Sequence, residues 1–378
     1  MEQLKFIFPW DGDFLNKYDG KWQKGALWVF VGVNKYAKIN GIETIYSEEK
    51  GCYIANIPLY GYRNAVVASN ENEEVKITLF ALKDNLVKRF RISSDDNILF
   101  LKELTEGDYK SIFEHPYLAV YKKAHDLFGA KVHLNLFYAF DETAQRAFSK
   151  NRGYFDLSMM TDRYKDEFIE NSDWLKLAFH AKSEFPDRPY KFASETKIRE
   201  DYLSICREIC RFAGRECIPN STTVHWGEAN REVVRALRSM GLRSLTGYFE
   251  KDSSGEPLVS YYADMKTVEH VGKRDFWMDT KEDMIFGRID RVLNIGTLNE
   301  VLEAVDKISD DAHRGGFVSI MIHEQYFYED YCRYLPDFEK RVLDSCRILN
   351  EKGYKASFIS EALAEPDANG NENILFRN

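Results

Sequence analysis

The sequence predicts an α/β protein, in which a distorted (β/α)7–8 barrel follows a small all-β, sandwich-like domain. Three observations lead to this prediction. The first part of the chain reads as short strands without a helix of useful length, and the remainder alternates apolar strands with amphipathic helices. The 378 residues are also too many for one ordinary core. We therefore predict an accessory domain at residues 1–85 and a barrel at residues 86–378.

The predicted N-terminal strands are rich in Val, Ile, Phe and Tyr, and polar turns such as NGIE, SEEKG and SNENEE separate them. The strands are ALWVFVGVN, GCYIANIPL, NAVVAS and EVKITLFAL. Short strands with turns at this spacing are typical of a β-sandwich.

The second part repeats a strand followed by a helix, which predicts parallel strands joined by crossover connections. KRFRISS, KVHLNLFY, WLKLAFHA and GFVSIMIHE read as strands, and LVSYYAD with TVEHVGK reads as a hairpin. About seven or eight strands are enough to close a barrel. A doubly wound open sheet has the same local pattern and remains an alternative.

Composition excludes some classes of partner. The net charge is −9, from 52 basic and 61 acidic residues, which argues against nucleic acid. No apolar run is long enough to span a bilayer, so no membrane partner is expected. The six cysteines fit no disulfide framework and the N-terminus does not resemble a signal peptide, so we predict a cytoplasmic protein. The oligomeric state is not predicted.

Polar residues gather at the ends of the predicted strands, where function lies in β/α folds. RFRISSDDNILFL ends its strand in Asp95 and Asp96. Three of the eight histidines also end apolar strands: His180 in LAFHAKSE, His225 in TTVHWGE and His323 in SIMIHEQYFY. Taken singly, an Asp-Asp-Asn stretch is more often a turn, and such a histidine is more often a hydrogen-bonded structural residue. The joint placement favours a site.

Two carboxylates with imidazoles suit a divalent metal that keeps an open coordination position. Zinc is the main expectation, and manganese, cobalt or iron also fit these ligands. We expect Asp96 to bind the metal, Asp95 to take a proton from water and a histidine on the opposite side to protonate the leaving group. Glu184, four residues after His180, is a further candidate ligand or else a helix-cap or ion-pair residue.

The residues resemble the polysaccharide deacetylase family, whose members are metal-dependent carbohydrate esterases on a distorted (β/α) barrel. ISSDD is similar to the T-F-D-D motif, which implies Asp95 as base and Asp96 as ligand. HAKSE matches the first histidine of H-[ST]-x-x-H at His180, but Glu184 replaces the second. The resemblance then implies Asp96 and His180 as metal ligands, completed by His225 or Glu184.

Two further motifs extend the resemblance, which covers roughly residues 86–365. VHWGEAN resembles the R-x-P-[FY]-G-like motif, with His225 where the family has arginine. SIMIHE resembles the final Leu-His motif and implies His323 as the general acid. The likeness implies removal of an N- or O-acyl group from a carbohydrate or a small N-acyl compound. Residues 1–85 resemble a carbohydrate-binding accessory module only in general outline, and a lid or packing domain is the alternative.

Aromatic residues near the strand ends are candidate platforms for sugar rings, although rim packing is their commoner role. The main candidates are Trp226, Tyr190 and Tyr326, with Tyr248, Phe327 and Tyr328 nearby. Two alternative functions stay open. A glycoside hydrolase would pair Asp95 with Glu324, since glycosidic cleavage uses two carboxyl groups. A non-catalytic carbohydrate-binding protein would account for the missing second histidine.

Overall fold

The N-terminal part of the chain consists of strands that pack as two sheets. The computed structural model describes residues 2–83 and 88–363. One sheet has the order β1-β4-β8-β7 with β3 beside β4, and the other has the order β2-β10-β9-β5-β6. The strands β1 to β10 are Phe6–Phe8, Phe14–Leu15, Gly20–Gln23, Ala26–Val33, Lys38–Ile39, Ile42–Glu43, Ile45–Ser47, Cys52–Leu59, Arg63–Ser69 and Glu74–Ala81.

Aliphatic side chains fill the space between these two sheets. Leu27, Val29 and Val31 alternate along β4 and are buried in the same cluster as Ile57 of β8 and Leu79 of β10. Alternate residues of a strand point to the same face, so this spacing puts a continuous apolar face toward the second sheet. The described residues of this segment form strands, and the accessory all-β domain at residues 1–85 stays a prediction. The predicted domain boundary at residues 85 and 86 lies outside the described residues.

The N-terminal strands contact the rest of the chain closely. Asp13 forms a bridge with Trp277, and Gly12 has a φ of 89°. A Cβ added to Gly12 would lie 1.9 Å from the carbonyl oxygen of Met278. A glycine is required there because only its backbone can approach the neighbouring strand this closely.

The remainder of the described chain alternates strands and helices, as predicted. The strands β11 to β24 are Arg89–Asn97, Val132–Phe137, Ala139–Phe140, Phe155–Asp156, Leu175–Ala181, Ser221–Thr222, Ser244–Gly247, Glu250–Lys251, Pro257–Leu258, Phe276–Asp279, Met284–Arg288, Arg291–Val292, Phe317–His323 and Lys355–Ala356. The helices α1 to α10 are Leu99–Glu106, Pro116–Phe128, Glu142–Gln145, Lys165–Glu170, Glu195–Phe212, Arg231–Ser239, Met265–Val271, Leu298–Ile308, Phe338–Glu351 and Ile359–Ala362.

The parallel strands fall into two sheets instead of one closed barrel. The first has the order β15-β12-β11-β23-β22 with β24 beside β11, and the second has the order β16-β17-β21-β20. All neighbours are parallel except β20, which runs antiparallel to β21. Over residues 2–83 and 88–363 no backbone ladder joins the two sheets, so the prediction of a closed ring is corrected to an interrupted one.

The two sheets leave two interruptions in the ring, and one of them lies between β15 and β16, where β16 is only two residues long. Side chains make the connection there instead of backbone amides. The hydroxyl of Thr222 donates to the carbonyl of Phe179, and the Nδ1 atom of His180 lies 2.6 Å from the carbonyl oxygen of Thr223. The side chain of His180 in β15 is thus held by Thr223, the residue after β16, although β15 and β16 form no backbone pair.

A buried cation also links the two sheets. Arg91 of β11 is fully buried and donates to Ser319 Oγ at 3.0 Å and to Thr246 Oγ1 at 2.9 Å. Its third partner is His133 Nδ1, at 3.2 Å. Burial lowers the pKa of Arg91 to about 10, so the guanidinium remains charged at neutral pH. The space enclosed by the strands is therefore polar below the strand ends.

The predicted hairpin of LVSYYAD and TVEHVGK is wrong, since only Leu258 of LVSYYAD lies in a strand. The segment TVEHVGK does not form a strand of a hairpin, because Met265–Val271 is helical. Asp264 caps this helix by accepting a hydrogen bond from the backbone of Thr267 at 2.8 Å. An aspartate cap stabilises the first turn, which opposes the low helix propensity of the three β-branched residues Thr267, Val268 and Val271. Among the described residues, no helix combines the length and the apolar character needed to cross a membrane.

Candidate metal centre

The two carboxylates at the end of β11 have different partners. Asp95 Oδ1 accepts a hydrogen bond from Asn135 Nδ2 at 2.6 Å, whereas Asp96 Oδ1 lies 3.0 Å from His180 Nε2. Asp96 has a φ of 63°, in the left-handed region that aspartate adopts more readily than most residues. The pairing of β11 with β12 shifts register at this point. The backbone turn therefore directs consecutive carboxylates to separate partners, which weakens their mutual repulsion.

Asp96, His180 and His225 form one compact group of buried side chains. Asp96 Oδ1 lies 3.4 Å from His225 Nδ1, and His180 Nε2 lies 3.1 Å from the same nitrogen. Ligand atoms about 2.0–2.1 Å from a tetrahedral zinc ion lie roughly 3.3 Å from one another. The three donor atoms therefore fit a single small cation and leave a fourth position open.

Each of the two histidines has one ring nitrogen that points away from the group and contacts a backbone carbonyl. These contacts fix which nitrogen of each ring faces Asp96. His180 Nδ1 lies 2.6 Å from the carbonyl oxygen of Thr223, and His225 Nε2 lies 3.0 Å from that of Glu184. A carbonyl oxygen only accepts, so each outer nitrogen carries the proton. In the neutral rings, His180 Nε2 and His225 Nδ1 each carry a lone pair, and both lone pairs face the other nitrogen and the carboxylate of Asp96. Carbonyl groups orient ligating histidines in this way at metal sites, so the donor set suits a cation.

Charge and burial oppose each other in this group. Burial raises the pKa of Asp96, but His323, His180 and His225 outweigh it and hold the pKa well below its usual range. Burial lowers the pKa of His180, and the carboxylates of Asp95 and Asp96 more than reverse this effect. The site is therefore arranged for a positive charge next to Asp96.

Glu184 is adjacent to the group without belonging to it. Gln325 Nε2 donates to Asp96 Oδ2 at 3.0 Å and to Glu184 Oε2 at 3.1 Å, so one amide nitrogen lies between two carboxylates. Burial, and next the charge of Asp96, raises the pKa of Glu184 to about 8. Of the two candidates to complete the metal ligands, His225 is the one whose side chain joins Asp96 and His180.

His323 lies across the group from these ligands. Its backbone pairs with that of Asp95 between neighbouring strands, and its Nε2 atom lies 3.9 Å from Asp96 Oδ2. Its Nδ1 atom lies 2.9 Å from Asn294 Oδ1, an acceptor, so Nδ1 carries a proton. The Nε2 atom is therefore the nitrogen that faces the group and can exchange a proton there.

A cleft of about 390 Å³ opens over the group. Asp95 and His323 line it together with the three grouped residues and Glu184. The aromatic side chains of Trp226, Tyr248 and Tyr326 form further parts of its wall. Trp226 is 40% exposed, so its ring is accessible to a bound molecule.

Two residues predicted for the site lie elsewhere. Glu324 is 0% exposed and its carboxylate accepts hydrogen bonds from the start of α1, so it does not line the cleft. Tyr190 is also 0% exposed, and its hydroxyl donates to Asp201 Oδ2 at 3.0 Å. The prediction of Glu324 as catalytic and of Tyr190 as a sugar platform is corrected accordingly. Phe327 packs against Phe338, and Tyr328 donates to Glu324, so neither lines the cleft.

The sequence pattern did not predict Gln325, Asn294 or Asn135, which hold Asp96, His323 and Asp95 respectively. Asn294 and Gln325 each lie two residues after a strand, β22 and β23, whereas Asn135 lies within β12, so position near a strand end was a usable signal for Asn294 and Gln325 only. These amides are uncharged, and their role depends on which side chain lies opposite.

Comparison with known proteins gives only distant likenesses. No protein-family profile and no curated protein sequence matches the chain. Among solved structures, a CE4 family pseudoenzyme from Bacillus anthracis is 11% identical, with 85% of this chain and 88% of that chain covered and a TM-score of 0.33. A peptidoglycan N-acetylglucosamine deacetylase is 9% identical, with 72% and 86% covered and a TM-score of 0.36.

A 4-alpha-glucanotransferase from Thermococcus litoralis has a TM-score of 0.43 and 11% identity, with 73% of this chain and 40% of that chain covered. All three alignments are too distant to transfer a residue or an activity. The function of this chain is therefore argued from its own side chains.

Proposed function

We propose that the protein is a metal-dependent hydrolase that removes an acyl group from an amide or ester of a saccharide. The observation that supports this most is the convergence of Asp96, His180 and His225 beside Asp95 and His323 in one open cleft. Two imidazoles and one carboxylate are a ligand set that zinc accepts, and manganese, cobalt and iron are possible.

The five residues divide the chemistry between them. A bound cation would supply Lewis acidity toward the carbonyl oxygen and lower the pKa of water. Asp95 takes the proton from the water whose oxygen bonds to the carbonyl carbon. His323 then donates a proton to the departing nitrogen or oxygen as the bond from carbon to that atom breaks. The products are a carboxylic acid and a free amine or alcohol, and no other reactant is needed.

The geometry supports these two roles. Asp95 and His323 occupy paired positions on β11 and β23, so their side chains leave the sheet at the same level. Asn135 and Asn294 hold one polar atom of each side chain. Such support is what a proton-transferring pair requires, because the reacting atoms must stay in reach of the substrate.

A saccharide is proposed because the cleft combines aromatic and polar walls. Trp226, Tyr248 and Tyr326 offer ring faces, and Arg333 and Asn294 offer polar groups. Sugar rings have apolar faces and polar edges, so they suit such walls.

Glycoside hydrolysis is less well supported. That alternative needs a second carboxyl group about 5–9 Å from Asp95 across the scissile bond. Glu324, its candidate, is buried and accepts hydrogen bonds from three backbone amides and one hydroxyl. A carboxylate with these partners has a structural role and does not face a substrate in the cleft.

The test is an acyl-release assay with zinc-loaded protein. N-acetyl and N-hexanoyl glucosamine oligomers and acetylated xylan are the substrates, and the released carboxylic acid together with newly exposed amine is measured. We expect release that a chelator abolishes and added zinc restores. Asp95→Asn should bind zinc as tightly as the unmodified protein and lose the release. Metal binding without release from amide or ester substrates, combined with saccharide binding in calorimetry, would favour the non-catalytic alternative.

A further inference from the structure

A second cavity, of about 230 Å³, lies beside the metal group, and its walls are less polar than those of the open cleft. Its walls are mainly the buried side chains of Ile98, Phe137, Phe140 and Phe148, with the small side chains of Ala144 and Ala147 between them. Cavities lined in this way favour apolar occupants, because water gains few hydrogen bonds in them.

The cavity and the cleft meet at the metal group. Asp96, Glu184 and Gln325 line both spaces, as do Tyr331 and Arg333 near the surface. A molecule whose reacting bond lies at Asp96 can therefore extend one end into the cleft and the other into the cavity. The cleft wall contains Asn294 and several titratable side chains, whereas the cavity wall is mostly hydrocarbon.

The volume limits what fits. A cavity of about 150 Å³ lined by aliphatic and aromatic side chains accommodates benzene. The cavity here is larger, at about 230 Å³, so it holds a chain or ring of roughly six to eight carbon atoms. An acetyl group would leave most of it unfilled, and unfilled apolar space gives up contacts that a longer chain would make.

We infer that this cavity binds the acyl group of the substrate and that this group is a medium-length aliphatic or aromatic chain. The inference rests on the proposed function, because the metal group determines where the carbonyl carbon lies. The polar part of the substrate occupies the cleft beside Trp226 and Tyr326, and the hydrocarbon part occupies the cavity beside Phe140 and Phe148.

The first experiment measures binding of straight-chain hydroxamic acids, from two to eight carbons, to the zinc-loaded protein by calorimetry. Burial of one methylene group changes affinity about fourfold. We expect affinity to increase by about this factor per carbon up to roughly six carbons and then to level off. An affinity that does not depend on chain length overturns the inference and leaves the metal-dependent function intact, because the shared hydroxamate group still reports the metal.

The second experiment needs no metal. Cys332 lines the cavity and is exposed, whereas the other five cysteines are buried or partly buried. Alkylation of Cys332 by iodoacetamide, followed by mass spectrometry, therefore reports occupancy. In metal-free protein we expect 1-hexanol to slow this alkylation severalfold and ethanol to leave it unchanged. Protection by 1-hexanol in a protein that binds no hydroxamate would support the apolar site and remove the metal-centred function.

Filling variants test whether the cavity is responsible. Ala147→Phe should abolish the chain-length dependence and the protection of Cys332 while acetohydroxamic acid still binds. Ala144→Leu is a smaller change and should lower the optimum chain length by about two carbons. This variant provides the same test if Ala147→Phe does not fold. Ala65→Phe, on an exposed position of β9, is the matched control and should change neither readout. Unchanged chain-length dependence in both filling variants would overturn the inference.

Discussion

Glu324 Oε1 lies 2.6 Å from the backbone nitrogen of Phe100, in the first turn of α1. The other carboxylate oxygen, Oε2, accepts from the backbone amides of Ile98 at 2.6 Å and Leu99 at 3.0 Å. Amides at the start of a helix have no partner within it, so this one carboxylate satisfies three of them and also faces the positive end of the helix. Glu324 therefore fixes α1 directly after Asp96.

We predict that Glu324→Ala acts on stability. Loss of the carboxylate leaves three buried amides and the hydroxyl of Tyr328 without their acceptor. The free energy of unfolding should fall by roughly 3 kcal/mol, as measured by urea denaturation. Glu303→Ala, at an exposed position of α8, is the control and should change it by less than about 0.5 kcal/mol. A Glu324→Ala variant as stable as the control would contradict the capping role.

Metal affinity should depend on the grouped side chains and not on Asp95. We predict that His180→Ala and Asp96→Asn each lower the affinity for zinc by about 100-fold or more, because each removes one of three ligands. Asp95→Asn should keep the affinity within a few-fold. Competition with a fluorescent chelator measures all three variants.

A matched control for these variants is His313→Ala. His313 lies outside the group and its side chain is 47% exposed, so its loss should not change zinc affinity. The proposed site is ruled out if His180→Ala binds zinc as tightly as His313→Ala does.

The sequence was sufficient to predict that most of the charged residues around the cleft lie close together. Asp96, His180 and His323 lie at the ends of their strands and His225 lies three residues after β16, and parallel strands in a ring bring such positions together. To predict that these residues lie together, it was enough to know the direction of the strands and that they form an approximate ring. That prediction therefore survived the error about closure.

The sequence was not sufficient where side-chain direction decides the outcome. Glu324 and Gln325 are neighbours in one short turn, yet Gln325 reaches the metal group and Glu324 reaches α1. A carboxylate next to His323 is chemically the more conspicuous of the two, which is why it was predicted to be catalytic. Only the backbone path after β23 distinguishes them, and residue type does not encode that path.

Gln325 should influence metal affinity without being a ligand. Its amide separates the carboxylates of Asp96 and Glu184, and it holds Asp96 in place. We predict that Gln325→Leu lowers zinc affinity by about 10- to 100-fold, the usual effect of losing a group that orients a ligand. Gln325→Asn, with a shorter side chain, should give the same loss if reach to both carboxylates is what matters.

The control for this prediction is Gln23→Leu, on an exposed position of β3. It makes the same chemical change far from the site and should leave zinc affinity unchanged. Chelator competition, with circular dichroism to verify folding, measures both variants. Equal affinities for Gln325→Leu and Gln23→Leu would exclude the orienting role.

The free energy of unfolding should decrease as the pH rises, because of Asp290. Burial raises the pKa of Asp290 to about 7, although Arg288 and the backbone amide of Ser319 oppose this effect. Burial, and next the charge of Asp290, also holds the pKa of Asp275 well above its usual range. The folded state therefore favours neutral Asp290, whereas in the unfolded chain the group ionises near pH 4. Its stabilising effect is complete below about pH 4 and is lost as the pH rises through 7.

Asp290→Asn tests this sign directly, because the amide cannot ionise and can still accept from Ser319. The difference in free energy of unfolding, wild type minus variant, should fall by roughly 2 kcal/mol between pH 5 and pH 8, as measured by urea denaturation at each pH. Asp108→Asn, at an exposed position, is the control and should give a difference that does not depend on pH. If the Asp290→Asn difference rises with pH, Asp290 is ionised in the fold, and Arg288 outweighs the cost of burial.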